Sequence, residues 1–273
     1  MEHLASVRSL LLSARALALS FGSAETQEVR DERTTDISTL ADRRLSSFLI
    51  DGVNERWPGS TILTEESGRL DGDGRITVAI DDLDGTDNFH RFRQLLPWCT
   101  VVTVFRGNKP SYRDALAAGI IEHHSGYMWL AEADDSDGVV GTETGPDGRE
   151  IPLRASLKKV LDRRSLVLVD HYTARKDVAG LSGIHESAWV KDFGSSALHL
   201  SLVASGRAEA CVNLRHKAHE LGAGYLLCKA AGAEMVTTDG QDLGTLPFVF
   251  DGTIPVIMAA NTDMKSALMA LLR

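Results

Sequence analysis

Asp81-Asp82-Leu83-Asp84-Gly85-Thr86-Asp87-Asn88-Phe89 follows directly on the apolar run 76–80. An extended strand therefore stops on acidic side chains, then on Gly-Thr. Three carboxylates buried together are costly without compensation, and hard divalent cations supply it through oxygen ligation. In extended chain Asp81 and Leu83 face one side and Asp82 the other. The Leu83 carbonyl is then placed to join the carboxylates. Gly85 permits a tight turn, after which the amides of Gly85 and Thr86 point at a phosphate from a short helix N-terminus. An acidic surface turn explains D-x-x-D alone, but not the whole nine-residue string.

Upstream, the spacing of Leu4, Val7, Leu10, Leu11, Leu17 and Ala18 predicts an amphipathic helix over 3–21, interrupted in charge by Arg8 and Arg15. A polar loop over 22–38 leads to a second helix starting near Thr39, with Leu45, Phe48, Leu49 and Val53 on its buried face. Trp57-Pro58-Gly59 ends it. A short strand over 61–64 runs into Glu65-Glu66, and Asp71-Gly72-Asp73-Gly74 reads as a turn. Downstream, strands at 100–105, 115–121, 127–132 and near Val139 read as an antiparallel set.

After about residue 150 strands and helices alternate. Strands fall at 166–169, 189–191, 209–212 and 256–260; helices fall at 174–181, 195–205, 220–231 and 262–272. Ser195 or Ser196 is available as a helix cap. The predicted fold is α+β / α/β, with sheets layered between helices. Two lobes, 1–150 and 151–273, are expected to share one cleft.

The chain has 273 residues, and its 43% hydrophobic content is enough for a sizeable core. A net charge of −9 argues against broad nucleic-acid binding and suits phosphate chemistry only if cations reverse the local field. Cys99, Cys211 and Cys228 are widely spaced in apolar runs, as buried free thiols of a reducing compartment are. The expected location is cytoplasmic, with no membrane partner, because no apolar run reaches 18 residues.

At residues 81–89 the chain resembles the inositol monophosphatase family, whose signature is D-P-[IL]-D-G-T-x-N-F. Three further segments match in order: Asp36 to Asp42, Thr64-Glu65-Glu66-Ser67, and Glu220-Leu221-Gly222-Ala223-Gly224 followed by Ala230-Ala231-Gly232. The overlap covers nearly the whole chain. The resemblance implies a layered α-β-α-β-α sandwich and Mg2+-dependent hydrolysis of a small phosphate monoester, with two or three Mg2+ per site. It implies that Glu65, Asp81 and the Leu83 carbonyl hold one cation, and that Asp81, Asp84 and Glu220 hold another. Thr86 and Asp42, with Glu65 close by, would position the attacking water. Gly85, Thr86, Ser195, Ser196, Asn213 and His219 would line the substrate side. A small phosphorylated metabolite, a homodimer and lithium sensitivity are implied in the same way.

The chain departs from the family at several positions. Asp82 replaces a proline, and either supports an arginine or a water or is solvated. Glu220 replaces aspartate, one methylene longer, and His219 replaces the usual tryptophan. With His216 the last two form H-x-x-H-E, which reads as pocket wall or, at helical spacing, as a zinc site. Asn213 stands where inositol-specific members carry glutamate. Arg91 and Arg93 either reach a second anionic group or sit in solvent, and 171–191 carries further polar candidates. A 3′-phosphonucleotide phosphatase and a catalytically degenerate metal- or ligand-binding member are the alternatives. Low aromatic content (6%) gives the first little support.

Overall fold

The computed structural model describes residues 2–29, 38–92, 95–134, 138–170 and 175–272, the side chains of 29 and 175–180 excepted. Asp36, Ile37, Arg93, His171, Tyr172 and the side chains of Arg175 and Lys176 lie outside the described residues.

The first half contains α1 (Glu2–Ala18), β1 (Glu28–Val29), β2 (Ser38–Thr39), α2 (Leu40–Arg56), β3 (Thr61–Thr64), β4 (Gly68–Leu70), β5 (Ile76–Asp84) and α3 (Thr86–Phe92). Next come β6 (Cys99–Arg106), β7 (Ala115–Glu122), β8 (Met128–Ala133), β9 (Val139–Thr144) and β10 (Glu150–Pro152). The second half contains β11 (Leu166–Val169), α4 (Arg175–Ser187), β12 (Trp189–Lys191), α5 (Ser196–Ala204), β13 (Ala210–Lys217), α6 (Leu221–Ala231), β14 (Glu234–Thr237), β15 (Thr253–Ala259) and α7 (Thr262–Leu271).

Eight strands form one sheet in the order β10-β9-β8-β7-β6-β5-β3-β4, and five form another in the order β12-β11-β13-β15-β14. Strands β5 to β10 pair antiparallel, while β3 runs parallel to β5. Helices α1 and α2 cover one face of the large sheet; α5 and α6 fill the space between the sheets; α4 and α7 lie on the outer side of the small one. The expected α-β-α-β-α layering is therefore present.

Each layer follows from its residues. Val7, Leu10, Leu11, Ala14 and Ala18 form the buried stripe of α1 at helical spacing. Along β5, Val78 and Ile80 enter the core under α1 and α2, whereas Ala79 enters the core around α5 and α6. Period-two alternation thus sends Asp81 toward α5 and α6, where the second half of the chain meets the first.

Several strands outrun their sequence limits. β5 continues past Ile80 to Asp84, and β13 continues past Val212 to Lys217. β10 and β14 are additional; each gains its identity from the strand it pairs with rather than from its own three or four residues.

Candidate active site

Asp81 and Asp84 are three residues apart, so strict alternation would send them to opposite faces. A register shift resolves this. Asp81 lies opposite Val101 but Asp84 opposite Cys99, so β5 holds one extra residue across this interval. Asp81, Asp84 and Glu220 each bring an oxygen within 4.8 Å of the others, and Glu65, Asp81 and His219 form a second such group. Asp81 belongs to both.

The same bulge corrects one expectation. The Leu83 side chain does not follow Asp81; it packs with Ile80, Phe89 and Trp98 in the core under α1 and α2. Its carbonyl accepts a hydrogen bond from Thr86 Oγ1 at 2.9 Å. Gly85 closes the turn with φ +89°, and a Cβ there would come within 3.1 Å of the Pro97 carbonyl oxygen.

Asp42 fills two roles at once. It sits at the third position of α2 and accepts from the backbone N–H of Thr39 at 2.7 Å, the reciprocal half of a capping box. Its other oxygen accepts from Thr86 Oγ1 at 3.0 Å. Burial raises its carboxyl to about 7, against the pull of Thr39.

The start of α5 grips Asp84. Ser195 Oγ donates to Asp84 Oδ2, Ala197 N donates to the same oxygen at 3.0 Å, and Ser196 N reaches Oδ1 at 3.3 Å. Ser196 Oγ donates to Glu220 at 2.5 Å, and Glu220 stands at the N-terminal boundary of α6 without a side-chain capping hydrogen bond. These contacts involve two residues expected on the substrate side. Ser195, expected on the substrate side, is 1% exposed and serves Asp84; Ser196 lines the cleft but spends its hydroxyl on Glu220.

Histidines 216 and 219 are not on one helix, as the zinc reading required; His216 lies on β13 and His219 in the turn before α6. His216 Nε2 lies 3.2 Å from Glu220 Oε2, and His219 Nε2 lies 3.4 Å from Asp81 Oδ2. His219 therefore backs the acids rather than the substrate side.

The acids crowd one another. Burial first, then Glu65, lifts Asp81 to about 6; burial first, then Glu220 and Asp81, lifts Asp84 well above the carboxylate range. At Glu220 burial acts the same way but His216 outweighs it, holding the carboxyl near 2. Burial lowers the basicity of His219, yet Asp81 and Glu65 override it and carry the ring to about 9. Carboxyls pushed toward protonation by burial and by one another are what a divalent cation compensates. The donor set fits such ions.

Asp82 is neither solvated nor paired with arginine. It is 1% exposed, and neither carboxylate oxygen makes a hydrogen bond among the described residues. Burial, reinforced by Asp81, pushes its carboxyl far up. Asp82→Asn keeps the shape and removes the charging cost, so it is expected to stabilise the protein by about 1–3 kcal/mol at neutral pH. Urea denaturation checks this; a destabilised variant would mean that the carboxylate holds a partner of its own.

Next to the acids lies a cleft of about 500 Å³. Gly85, Thr86, Asp87, Asp170, Asp192, Asn213, Arg215 and Lys217 are among its lining residues. Asn213 donates to Asp170 at 2.8 Å, and Lys217 Nζ meets Glu65 Oε1 at 2.5 Å. Arg91 pairs with Asp87 at 3.0 Å in an exposed pair, which decides for the solvent reading of that arginine. Sequence reasoning missed Arg215 and Lys217 because it ended β13 at Val212. Carrying the period-two pattern onward through Asn213, Arg215 and Lys217 would have found them.

The sequence profile of the inositol monophosphatase family matches residues 3–273. The chain belongs to the inositol monophosphatase family. Among relatives, the inositol-1-monophosphatase of Caulobacter vibrioides is 27% identical over 267 residues, spanning 96% of each chain. The Nus factor SuhB of Escherichia coli is 25% identical over 273 residues, spanning 96% of this chain and 95% of that protein. Among solved structures, the extragenic suppressor protein suhB of Bartonella henselae superposes with a TM-score of 0.79 at 20% identity. That match covers 98% of this chain and 97% of the other, and shows the inositol monophosphatase family fold. The proteins similar to this chain thus carry both phosphatase and non-phosphatase names.

Proposed function

We propose that this chain hydrolyses a small phosphate monoester, with divalent cations held by Glu65, Asp81, the Leu83 carbonyl, Asp84 and Glu220. The observation that carries this reading is the gathering of four carboxylates beside a cleft, in two overlapping groups, one including His219, the ligand atoms of each lying within 4.8 Å of one another. Bound there, the cations would activate water and neutralise phosphoryl oxygens. Magnesium is the hard ion that an all-oxygen set such as Asp81, Asp84 and Glu220 suits.

The protein's own groups do the orienting. Thr86 Oγ1 has one proton, for which Asp42 Oδ1 and the Leu83 carbonyl are alternative acceptors, and its lone pairs would accept from the attacking water. Asp42, lifted to about 7, is suited to share that proton near neutral pH. The amides of Gly85 and Thr86 at the first turn of α3 bind phosphate oxygens. Asp170, Asp192 and Asn213 suit a hydroxyl-rich leaving group, while Arg215 and Lys217 counter the substrate's charge. A sugar or polyol phosphate fits this lining better than a nucleotide, since Phe92 is the only aromatic side chain among the described lining residues.

The test is phosphate release from sugar, polyol, inositol and nucleotide monophosphates with and without Mg2+. Metal-dependent turnover of a polyol or sugar phosphate, lost in Asp42→Asn, is the expected result. Cation binding without turnover of any compound would instead favour a binding role, the reading that the relative named a Nus factor motivates.

A further inference from the structure

His219 stands where the resembling family carries tryptophan, and the structure places its ring among the acids. Nε2 lies 3.4 Å from Asp81 Oδ2 and 3.8 Å from Glu65 Oε2. The side chain is 7% exposed, yet Nε2 makes no hydrogen bond among the described residues. A buried ring nitrogen that makes no hydrogen bond is costly, and once its proton is displaced its lone pair is placed to take a cation between the two carboxylates. Phe250 packs against the ring with centroids 5.1 Å apart and a 31° tilt, which fixes its plane. The other imidazole, His216, approaches Glu220 instead, at 3.2 Å. The two acidic groups therefore differ in chemistry. Asp81, Asp84 and Glu220 offer oxygen alone; Glu65, Asp81 and His219 offer two carboxylates and a nitrogen.

Magnesium dehydrates reluctantly and takes oxygen ligands, whereas imidazole suits first-row transition ions. A carboxylate-carboxylate-imidazole set has the donors of a manganese, iron or zinc position. We propose that His219 Nε2 is a direct ligand, with Glu65 and Asp81, of a divalent transition-metal ion. The enzyme then carries two unlike cation positions, one mixed nitrogen/oxygen and one all-oxygen. This rests on the metal-binding reading of the acidic cluster given above.

The test uses the full chain, stripped of metal and free of any histidine tag, titrated with Mn2+ and separately with Mg2+. Calorimetry gives affinities, and pulsed electron paramagnetic resonance reads nitrogen coupling at bound Mn2+. The expected result is coupling to one imidazole, changed to a 15N pattern by 15N-histidine labelling. His219→Gln removes that coupling and lowers Mn2+ affinity by roughly tenfold or more. His216→Gln keeps the coupling, which assigns it to His219. Should His219→Gln fail to fold, the labelled wild type alone decides whether an imidazole is bound. Tight Mn2+ binding without nitrogen coupling overturns the proposal and leaves the metal-dependent reading intact, with the ring then a charged neighbour of Asp81. Binding of neither ion overturns both.

Discussion

Replacing Asp84 by asparagine is expected to lower metal-dependent phosphate release by at least about 10²–10³-fold, the scale of losing one preorganised charge-stabilising group. The fold should survive. An amide oxygen in the Oδ2 position keeps the hydrogen bonds from Ser195 and Ala197. The amide nitrogen then faces the two longer contacts, with Ser196 N at 3.3 Å and Ser196 Oγ at 3.4 Å. Removing a buried charge beside Asp81 and Glu220 offsets that mismatch. Metal-free stability should therefore change little, while the stabilisation gained on adding Mg2+ should largely vanish. That gain is about 2.7 kcal/mol for the wild type at a hundredfold excess over Kd. Turnover numbers and Mg2+-dependent unfolding curves, taken side by side, separate a lost ligand from a damaged fold. A variant within tenfold of wild-type turnover that still gains stability from Mg2+ would remove Asp84 from the ligand set.

How far the sequence reached depends on whether a feature is local. The strands at 61–64, 166–169 and 189–191 coincide with β3, β11 and β12, because each is a short run of strand formers bounded by punctuation or polarity. The acids of the site were legible too, since carboxylates ending an apolar strand are a local anomaly. The bulge that turns Asp81 and Asp84 to one side was not, because it exists only against β6. The end of β13 was hidden for the same reason. Its largely polar residues 213–217 look like a loop until β15 pairs with them, from Asn213 opposite Val256 to Lys217 opposite Thr253. Asp82 shows the opposite failure. Charge suggested solvent, but the neighbouring apolar residues of β5 carry it into the interior regardless. Ser195 and Ser196 were found as polar residues at a helix start; that their hydroxyls hold acids depends on a partner more than 100 residues away for Asp84 and 24 for Glu220.

Asn88→Ala should test how the two halves of the site are joined. Asn88 Nδ2 donates to the Pro97 and Phe193 carbonyls at 2.7 Å each and approaches Gly194 O at 3.3 Å. One side chain in the 81–89 string thus ties the loop before β6 to the turn that opens α5. Gly194 has φ +68°, and a Cβ there would lie 2.8 Å from Asn88 Oδ1, so glycine and asparagine fit together at this junction. Truncation leaves two partly buried carbonyls without their donor, expected to lower stability by about 2–3 kcal/mol. The effect should not stop there. The turn at Phe193-Gly194 leads straight into Ser195, Ser196 and Ala197, the groups that hold Asp84. Loosening it should weaken cation affinity by roughly tenfold, as losing support behind a ligand does. Asn88→Asp should be worse still, since an acceptor would then face three carbonyl oxygens. Chemical denaturation and Mg2+ titration of both variants give the answer. Cation affinity unchanged in Asn88→Ala, despite the lost stability, would show that α5 holds Asp84 without help from this junction. Loss of both together would mean that the asparagine of the motif acts by aligning one half of the site with the other.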